Sequence, residues 1–532
     1  AASPPGAPGA TGGAMPQAAG GPRPRLVVLL VVDQFRADYL DRFAAQLDGG
    51  LARLAREGAW FSNARHDHGL TETAPGHATL LSGRFPRSTG IVANWVGVED
   101  DSAPLVGGVP GPGASPRRFQ GTTLVDWMRD ADGGSRALSI SGKDRGAILT
   151  IGRSRATVFW VATDGELTTS SYYARELPAW VRRVNAREEL RRLAGSAWTL
   201  LRPASDYPEP DTVVFENSGV DVTFPHAIPA DSEHAAVYAR ATPALDRVVL
   251  GAALEGVHEM RLGAGRSTDL LSVSLSSTDL IGHRFGPDSR EIHDQVLQLD
   301  RMLGSFLDSL FRLRDPREVV VVLTSDHGIG SMPELAPASV HPRPVRAETR
   351  RAVRAAQDGL RQAGVDPELI AIDGPFVLMA HAPLRRAGVK VDSLSRAIAE
   401  ALRATPGVLR VDRLRDLARD SARDSVARRW VHQLPAGADV VELVVTLTPL
   451  TIEESRLSAT HGMPFDDDTR VPMIFWGAPF RAARHDAAVR TVDLAPTLAR
   501  VLGVRAGGAG GERLDGVPLR EAFALDNAGT RP

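Results

Sequence analysis

The chain has 532 residues, of which 43% are apolar and only 5% aromatic, so it is long enough to bury a large, mostly aliphatic core. Lys and Arg number 62 against 64 Asp and Glu, and the net charge of −2 excludes a bulk attraction to nucleic acid or to an anionic membrane surface. There is no cysteine, which excludes disulfides, thiolate zinc sites and a cysteine nucleophile, so any metal must be held by His, Asp or Glu.

Residues 1–24 are rich in Ala, Gly and Pro and have no apolar period, which predicts a disordered leader. Its small residues suit the remainder of a cleaved signal peptide, so we expect a periplasmic or secreted protein; a sequence that simply starts there is the alternative. The longest aliphatic run, Leu26–Val32, is too short to span a bilayer, and we expect no membrane span. Residues 524–532 are interpreted as a tail.

Buried strands are predicted by three apolar runs without alternation: Arg25–Val32, Leu270–Leu275 and Val319–Thr324. Helices are predicted by apolar residues at helical spacing in Asp41–Arg56, Ser289–Leu313 and Val492–Val501. Alternating strands and helices indicate an α/β fold whose central sheet is open, mostly parallel and flanked by helices.

Two insertions are expected in the main domain, which spans residues 25–523. Residues 150–240 contain aromatic residues and prolines, and their sequence shows no regular alternation of predicted strands and helices. Residues 335–455 alternate helical and strand patterns, which predicts a small inserted α/β subdomain.

Ligand-type side chains lie at or near the predicted strand ends, where α/β sheets bind their ligands: Asp33, Asp279, His283, Asp326, His327 and His461. Three carboxylates and three imidazoles suit two divalent cations, zinc before manganese or iron. Taken singly, each residue has a structural alternative, such as a helix cap for Asp33 or an intrahelical pair of Asp279 with His283.

Thr73 lies in GLTETAPGHATLLSG, directly before Ala-Pro-Gly and a helical pattern. This position predicts a hydroxyl near a helix N-terminus, where main-chain N–H groups favour an anion. A hydroxyl needs a metal or a base to become a nucleophile, and a zinc ion held nearby would supply this activation. A helix cap is the structural alternative, Thr71 is a competing nucleophile, and His77 is interpreted as a packing residue.

The chain has two lysines, Lys143 and Lys390, and its other basic residues are arginine. Lys143 and Arg145 are two residues apart, so in an extended segment their side chains point the same way. An ammonium beside a planar guanidinium suits a phosphoryl group with several free oxygens. A solvated surface pair is the alternative.

Five segments in this order, VVDQFR, TETAPGH, SSTDLIGH, TSDHG and THGMP, resemble the alkaline phosphatase superfamily. More narrowly, they resemble its threonine-nucleophile bacterial alkaline phosphatases, the branch related to nucleotide pyrophosphatases/phosphodiesterases. The resemblance covers roughly residues 25–520. It implies one zinc on Asp279, His283 and His461, and a second on Asp33, Asp326, His327 and the Thr73 oxygen. It also implies that Asn94 donates to a phosphate oxygen and that Lys143 and Arg145 form the Lys-x-Arg clamp associated with monoesterases.

The resemblance implies a phosphate monoester hydrolase of broad range, with two Zn²⁺ per chain and a phosphothreonine intermediate. Its partners would be small-molecule phosphate esters and inorganic phosphate, and we expect a monomer. Two alternatives stay open: a phosphodiesterase or nucleotide pyrophosphatase on the same two-metal site, and a non-catalytic phosphate- or metal-binding protein. A sulfatase is disfavoured because the nucleophile position holds Thr73 rather than Cys or Ser.

Overall fold

The computed structural model describes residues 23–435 and 440–523. The predicted leader, except for Arg23 and Pro24, and the whole predicted tail lie outside these residues. Among the described helices, none combines the length and the apolar character that crossing a bilayer requires.

The strands of the described residues are β1 Leu26–Val32, β2 Ala59–Arg65, β3 Ala137–Ser141, β4 Thr157–Val161, β5 Leu167–Thr168, β6 Ala197–Trp198, β7 His226–Ala227, β8 Asp269–Leu275, β9 Val319–Thr324, β10 Arg346–Ala347, β11 Ile370–Asp373, β12 Phe376–Met379, β13 Val408–Arg413, β14 Val441–Leu447, β15 Ile452–Glu453, β16 Arg470–Trp476, β17 Ala483–His485 and β18 Val489–Arg490.

The α-helices of the same residues are α1 Tyr39–Arg42, α2 Gly50–Glu57, α3 Thr73–Leu80, α4 Pro86–Thr89, α5 Leu124–Ala131, α6 Asp144–Ile151, α7 Ala179–Asn185, α8 Ser232–Ala239, α9 Ala244–Glu259, α10 Ser277–Phe285, α11 Arg290–Leu313, α12 Thr349–Gln362, α13 His381–Arg386, α14 Val391–Arg403, α15 Leu414–Asp420, α16 Ser425–Gln433, α17 Asp466–Thr469 and α18 Leu494–Leu502.

A large central sheet runs in the order β17, β2, β16, β9, β1, β8, β3, β4 and β5, with β18 also paired to β2. The five strands from β9 to β4 are parallel to one another, whereas β16 is antiparallel to both of its neighbours. The prediction of a mostly parallel sheet flanked by helices is confirmed.

Strand β1 shows why its sequence does not alternate between apolar and polar residues. All seven of its side chains are buried. Leu26, Val28, Leu30 and Val32 pack into the core on one face of the sheet, and the three residues between them pack into the core on the other face. Both faces are covered by helices, so an apolar side chain is favoured at every position.

The predicted helix Asp41–Arg56 is two helices, α1 and α2, because a side chain of α11 interrupts it. The carboxylate of Asp300 accepts main-chain N–H groups from Asp48, Gly49, Leu51 and Ala52 and so caps the start of α2. Close packing also requires glycine here, since a Cβ on Gly49 would come to 2.3 Å from the carbonyl oxygen of Asp300.

The two expected insertions differ in how they relate to the central sheet. Within residues 150–240, β4 and β5 belong to the central sheet, so the irregular part begins after β5. Within residues 335–455, the antiparallel sheet β11, β12, β14, β13 packs against α12 and α14 around its own apolar core.

Candidate active site

The carboxyl ends of β1, β8 and β9 meet at one edge of the central sheet. β1 lies between the other two strands, with Val32 paired to Leu275 of β8 and Val31 paired to Thr324 of β9. The chain therefore leaves all three strands at the same level, and Asp33 is the first residue beyond β1. Three distant segments thus bring their acids and histidines to one place.

One group of ligand atoms belongs to Asp279, His283 and His461. The Nε2 atom of His283 lies 3.3 Å from Asp279 Oδ1, one turn away on α10. His461 Nε2 lies 3.6 Å from the same oxygen and 3.2 Å from His283 Nε2. The Nδ1 atoms of these two histidines bond to the carbonyl oxygens of Ala459 and Thr71. A carbonyl only accepts, so both Nδ1 atoms carry the proton, and in the neutral rings the two Nε2 lone pairs face each other.

A second group belongs to Asp33, Asp326 and His327, which are fully buried. His327 Nε2 lies 3.5 Å from Asp33 Oδ1 and 3.4 Å from Asp326 Oδ2, and its Nδ1 donates to the carbonyl of Gly328 at 3.0 Å. Asp279 stands between the two groups, since ligand atoms of Asp33, Asp279 and His327 all lie within 4.8 Å of one another. The two groups therefore adjoin.

This arrangement fits a pair of divalent cations. Asp33 Oδ1 is buried and has no hydrogen-bond partner among the described residues, although buried carboxylate oxygens are normally paired. Burial lowers the pKa of His327 well below its usual value and also lowers that of His461, which favours neutral rings. Neutral imidazoles held through Nδ1, together with carboxylates and without a thiolate, form a donor set that suits Zn²⁺.

Lys143 is the cation that the chain itself places among these carboxylates. Its Nζ lies 2.6 Å from Asp33 Oδ2 and 2.5 Å from Asp279 Oδ2. Burial opposes the charge of Lys143, but Asp279 and Asp33 outweigh burial and raise the pKa of Lys143. Burial, together with the charges of Asp279 and Asp326, still raises the pKa of Asp33 well above its ordinary value. One ammonium thus balances only part of the buried carboxylate charge, which favours further cations.

Thr73 is the first residue of α3 and is 1% exposed. Its Oγ1 lies 3.5 Å from His327 Nε2. α3 comes this close because Gly76 has no side chain: a Cβ there would come to 2.2 Å from the carbonyl oxygen of Asp326. The hydroxyl of Thr71, the competing nucleophile, donates to a main-chain carbonyl in the loop before α17. Of the two threonines, Thr73 therefore has the hydroxyl that lies beside the ligand atoms.

His77 connects α3 to its surroundings. Its Nδ1 lies 2.9 Å from the carbonyl oxygen of Thr73 and 3.1 Å from Asp326 Oδ2, and its Nε2 lies 2.9 Å from the hydroxyl of Ser274 on β8. These contacts fasten the start of α3 to the central sheet.

Asn94 is held by the residues on either side of Thr73. The N–H of Ala74 donates to Asn94 Oδ1 at 2.9 Å, and the N–H of Asn94 donates to Glu72 Oε2 at 2.7 Å. Because Oδ1 is the acceptor, the side-chain NH₂ of Asn94 remains a donor for another group. Glu72 is absent from the residues predicted from the sequence, and only its place beside Thr73 marks it there.

Residues 143–145 do not form the extended segment in which the side chains of Lys143 and Arg145 would point the same way. Lys143 is the N-cap residue of α6, and Arg145 lies in the first turn, where its N–H bonds to Asp144 Oδ1 at 2.6 Å. Burial raises the pKa of Glu72 to about 7, and the nearby charge of Arg145 acts against this rise. Lys143 and Arg145 thus both border the site, but from a helix start rather than a strand.

Gln34 and Asp468 also support the ligand residues, although neither is among the predicted ones. Gln34 donates from Nε2 to Asp279 Oδ1 at 2.9 Å and from its main-chain N–H to Asp326 Oδ1 at 3.1 Å. Asp468 Oδ2 accepts the two main-chain N–H groups that follow His461. Gln34 could have been suspected because it directly follows the first predicted ligand, whereas no local pattern marks Asp468.

Known proteins are similar to this chain over most of its length. The family described as "Type I phosphodiesterase / nucleotide pyrophosphatase" matches residues 27–341. Alkaline phosphatase PhoK of a Sphingomonas species is 30% identical, with 90% of this chain and 88% of that protein covered. Alkaline phosphatase PafA of Elizabethkingia meningoseptica is 29% identical over 91% of this chain and 92% of its own.

Two solved structures are also similar to the structure of this chain. The crystal structure of PafA superposes with a TM-score of 0.86 at 27% identity, covering 95% of this chain and 100% of that one. Murine ectonucleotide pyrophosphatase/phosphodiesterase 5 superposes with a TM-score of 0.51 at 17% identity, covering 90% of this chain and 95% of that one. The second likeness concerns the fold alone.

Proposed function

We propose that this chain, which belongs to the type I phosphodiesterase/nucleotide pyrophosphatase family of the alkaline phosphatase superfamily, is an alkaline phosphatase that hydrolyses phosphate monoesters. The observation that carries the proposal is the likeness to two alkaline phosphatases over nine-tenths of the chain, joined to a buried hydroxyl beside a metal-type donor set. Its substrates are small phosphate esters.

Two cations are proposed, both Zn²⁺. Asp279, His283 and His461 would hold one; Asp33, Asp326, His327 and the Thr73 oxygen would hold the other. When bound, the ions supply Lewis acidity that stabilises negative charge on the oxygens of the reaction. Asp279 and Asp33 would then exchange part of their contact with Lys143 for contact with metal.

Thr73 is the proposed nucleophile. Its Oγ1 forms a bond to phosphorus as the bond from phosphorus to the alcohol oxygen breaks, and the alcohol leaves with that electron pair. The hydroxyl proton of Thr73 passes to solvent, and the departing alkoxide takes up a proton from solvent. The phosphothreonine is then hydrolysed by water, which restores Thr73 and releases inorganic phosphate.

Asn94, Lys143 and Arg145 are the proposed donors to the non-bridging phosphate oxygens. The support is that the Asn94 amide is fixed beside Thr73 with its NH₂ free to donate, and that Lys143 and Arg145 begin a helix at the same site. A monoester dianion has one more charged oxygen than a diester, so two added cations favour the monoester.

The test is a paired assay of an aryl phosphate monoester and its matching diester on zinc-loaded protein, with and without a chelator. Strong preference for the monoester, lost on chelation, is the expected result. Preference for the diester would replace the substrate class with that of a phosphodiesterase. Stoichiometric zinc without any turnover would replace the enzyme with a phosphate- or metal-binding protein.

A further inference from the structure

A cavity of about 340 Å³ opens beside the candidate active site. Its lining includes Glu72, which precedes Thr73, and the proposed ligand His461, as well as Gly374 and Val445 of the inserted subdomain. Its volume falls within the range of small-molecule pockets. A phosphoryl group at Thr73 would therefore have this cavity within reach of its ester substituent.

The walls of the cavity combine apolar surface with charged side chains that are mostly acidic. Apolar contacts come from residues such as Val445, Leu447 and Ile452, and Phe465 adds an aromatic ring. Of the described residues that line it, one is a lysine or arginine, namely Arg350, and five are acidic: Glu72, Glu453, Glu454, Asp467 and Asp468.

Three of these acids are held by hydrogen bonds within the chain. Glu72 accepts the N–H of Asn94, Glu453 accepts the hydroxyl of Thr349, and Asp468 accepts main-chain N–H groups. Such bonds favour the ionised form. A cavity with five acids and one arginine therefore repels an anionic substituent and attracts a cationic one.

We propose that this cavity receives the leaving group of the substrate and selects monoesters whose leaving group is apolar and carries a positive charge at its far end. This inference rests on the proposed function. Apolar walls suit the body of such a group, an aromatic ring suits an ammonium, and the acids suit its charge. Nucleotides with additional phosphates are expected to be poor substrates, because those phosphates would lie against the acidic lining.

The experiment compares three phenyl phosphates of nearly equal shape, with a para aminomethyl, ethyl or carboxymethyl substituent. We expect kcat/KM to fall in that order. The decisive quantity is the ratio of kcat/KM for the aminomethyl ester to that for the carboxymethyl ester, in the parent enzyme and in variants. The intrinsic chemical reactivity of each ester is the same whichever enzyme variant is assayed. It therefore cancels when the aminomethyl-to-carboxymethyl ratio of one variant is compared with that of another.

Glu454→Lys reverses one exposed charge of the lining, and we expect it to lower this ratio by roughly tenfold or more. Asp467→Asn, which removes a charge without changing shape, is expected to lower it severalfold. Glu368→Lys is the matched control: Glu368 is an exposed acid of the same subdomain that does not line the cavity, and it precedes β11 at the end opposite Gly374.

An unchanged ratio in both cavity variants, with all three esters still hydrolysed, would overturn this inference and leave the proposed function standing. An equal fall in Glu368→Lys would also overturn it, because the effect would then be a general one of surface charge. If zinc-loaded parent enzyme hydrolysed none of the three esters, and no simple aryl phosphate either, the proposed function would fail as well.

Discussion

The carboxylate of Glu72 accepts the main-chain N–H of Asn94 at 2.7 Å, so the residue before the proposed nucleophile holds the residue proposed to bind phosphate. Ala74 completes the arrangement from the other side by donating to Asn94 Oδ1. The positions of Thr73 and Asn94 are thereby coupled through hydrogen bonds that do not involve the substrate.

Replacing Glu72 tests this coupling. Glu72→Ala is expected to lower kcat/KM roughly tenfold, because the Asn94 donor loses its fixed position, whereas Glu72→Gln keeps an acceptor and most of the activity. In an Asn94→Ala background, Glu72→Ala should have little further effect. Additive losses in the double variant would show that Glu72 acts independently of Asn94.

Removal of the proposed nucleophile should separate chemistry from metal binding. Thr73→Ala is expected to lower kcat by at least on the order of 10³-fold. Most of the ligand atoms come from other residues, so the zinc content measured by elemental analysis should stay near that of the parent. Thr71→Ala is the matched control, because that hydroxyl is bonded to a main-chain carbonyl. Near-normal turnover in Thr73→Ala would remove Thr73 from the mechanism.

Lys143 and Arg145 should matter more for a monoester than for a diester. Arg145→Ala is expected to lower kcat/KM for an aryl phosphate monoester about tenfold and for the matching diester far less, because the diester lacks one charged oxygen. Lys143→Ala is likewise expected to lower kcat/KM more for the monoester than for the diester. Lys143 contacts Asp33 and Asp279, so metal content must be measured alongside its kinetics. Equal losses on both substrates would exclude a role in discriminating them.

Metal removal should destabilise the fold as well as abolish activity. The buried carboxylates and facing Nε2 atoms are expected to repel one another or to protonate without cations, so chelation should lower Tm and added Zn²⁺ should restore it. A free metal concentration one hundred times Kd corresponds to about 2.7 kcal/mol of stabilisation. His283→Ala should remove about one metal ion per chain. A Tm that does not respond to chelator or zinc would contradict the proposed sites.

Glu216, which is not among the residues of the candidate active site, is expected to make the stability of the fold depend on pH. Burial, with the charges of Glu291 and Asp211, raises the pKa of Glu216 to about 9, and its Oε2 has no hydrogen-bond partner among the described residues. A carboxyl whose folded pKa is raised holds its proton more tightly when folded, so its stabilisation is lost as pH rises from about 4.5 to 9. Glu216→Gln should therefore raise Tm relative to the parent progressively over this range. A Tm difference independent of pH would contradict the shifted titration.

The amino-acid sequence is sufficient to predict the parts of the fold that local pattern determines. Strands such as β1 are aliphatic at every position because both faces are buried, and strand ends in a parallel sheet meet at one edge. Hence the pattern of strands alone predicts that Asp33 and His327 lie together. Their assignment as ligands remains a prediction, as do the roles of Thr73 and Asn94.

Other features depend on tertiary neighbours and have no local signal. The break between α1 and α2 is due to Asp300 of α11, which no pattern in residues 41–56 reveals. Lys143 and Arg145 would point the same way from an extended segment, but the chain turns into α6 at Asp144. Glu72 and Asp468 hold the site through main-chain N–H groups, and such contacts leave no spacing rule in a sequence.

His461 lies beyond both insertions, whereas Asp33 follows the first strand of the sheet. During synthesis the chain emerges from its N-terminus, so the strands that carry Asp33 and Asp326 and both insertions exist before His461 has been added. A partly made chain therefore carries Thr73 and most of the proposed metal ligands, but it lacks the last of them, His461. The order of residues along the chain delays assembly of the site until both insertions and the segment that carries His461 have been made.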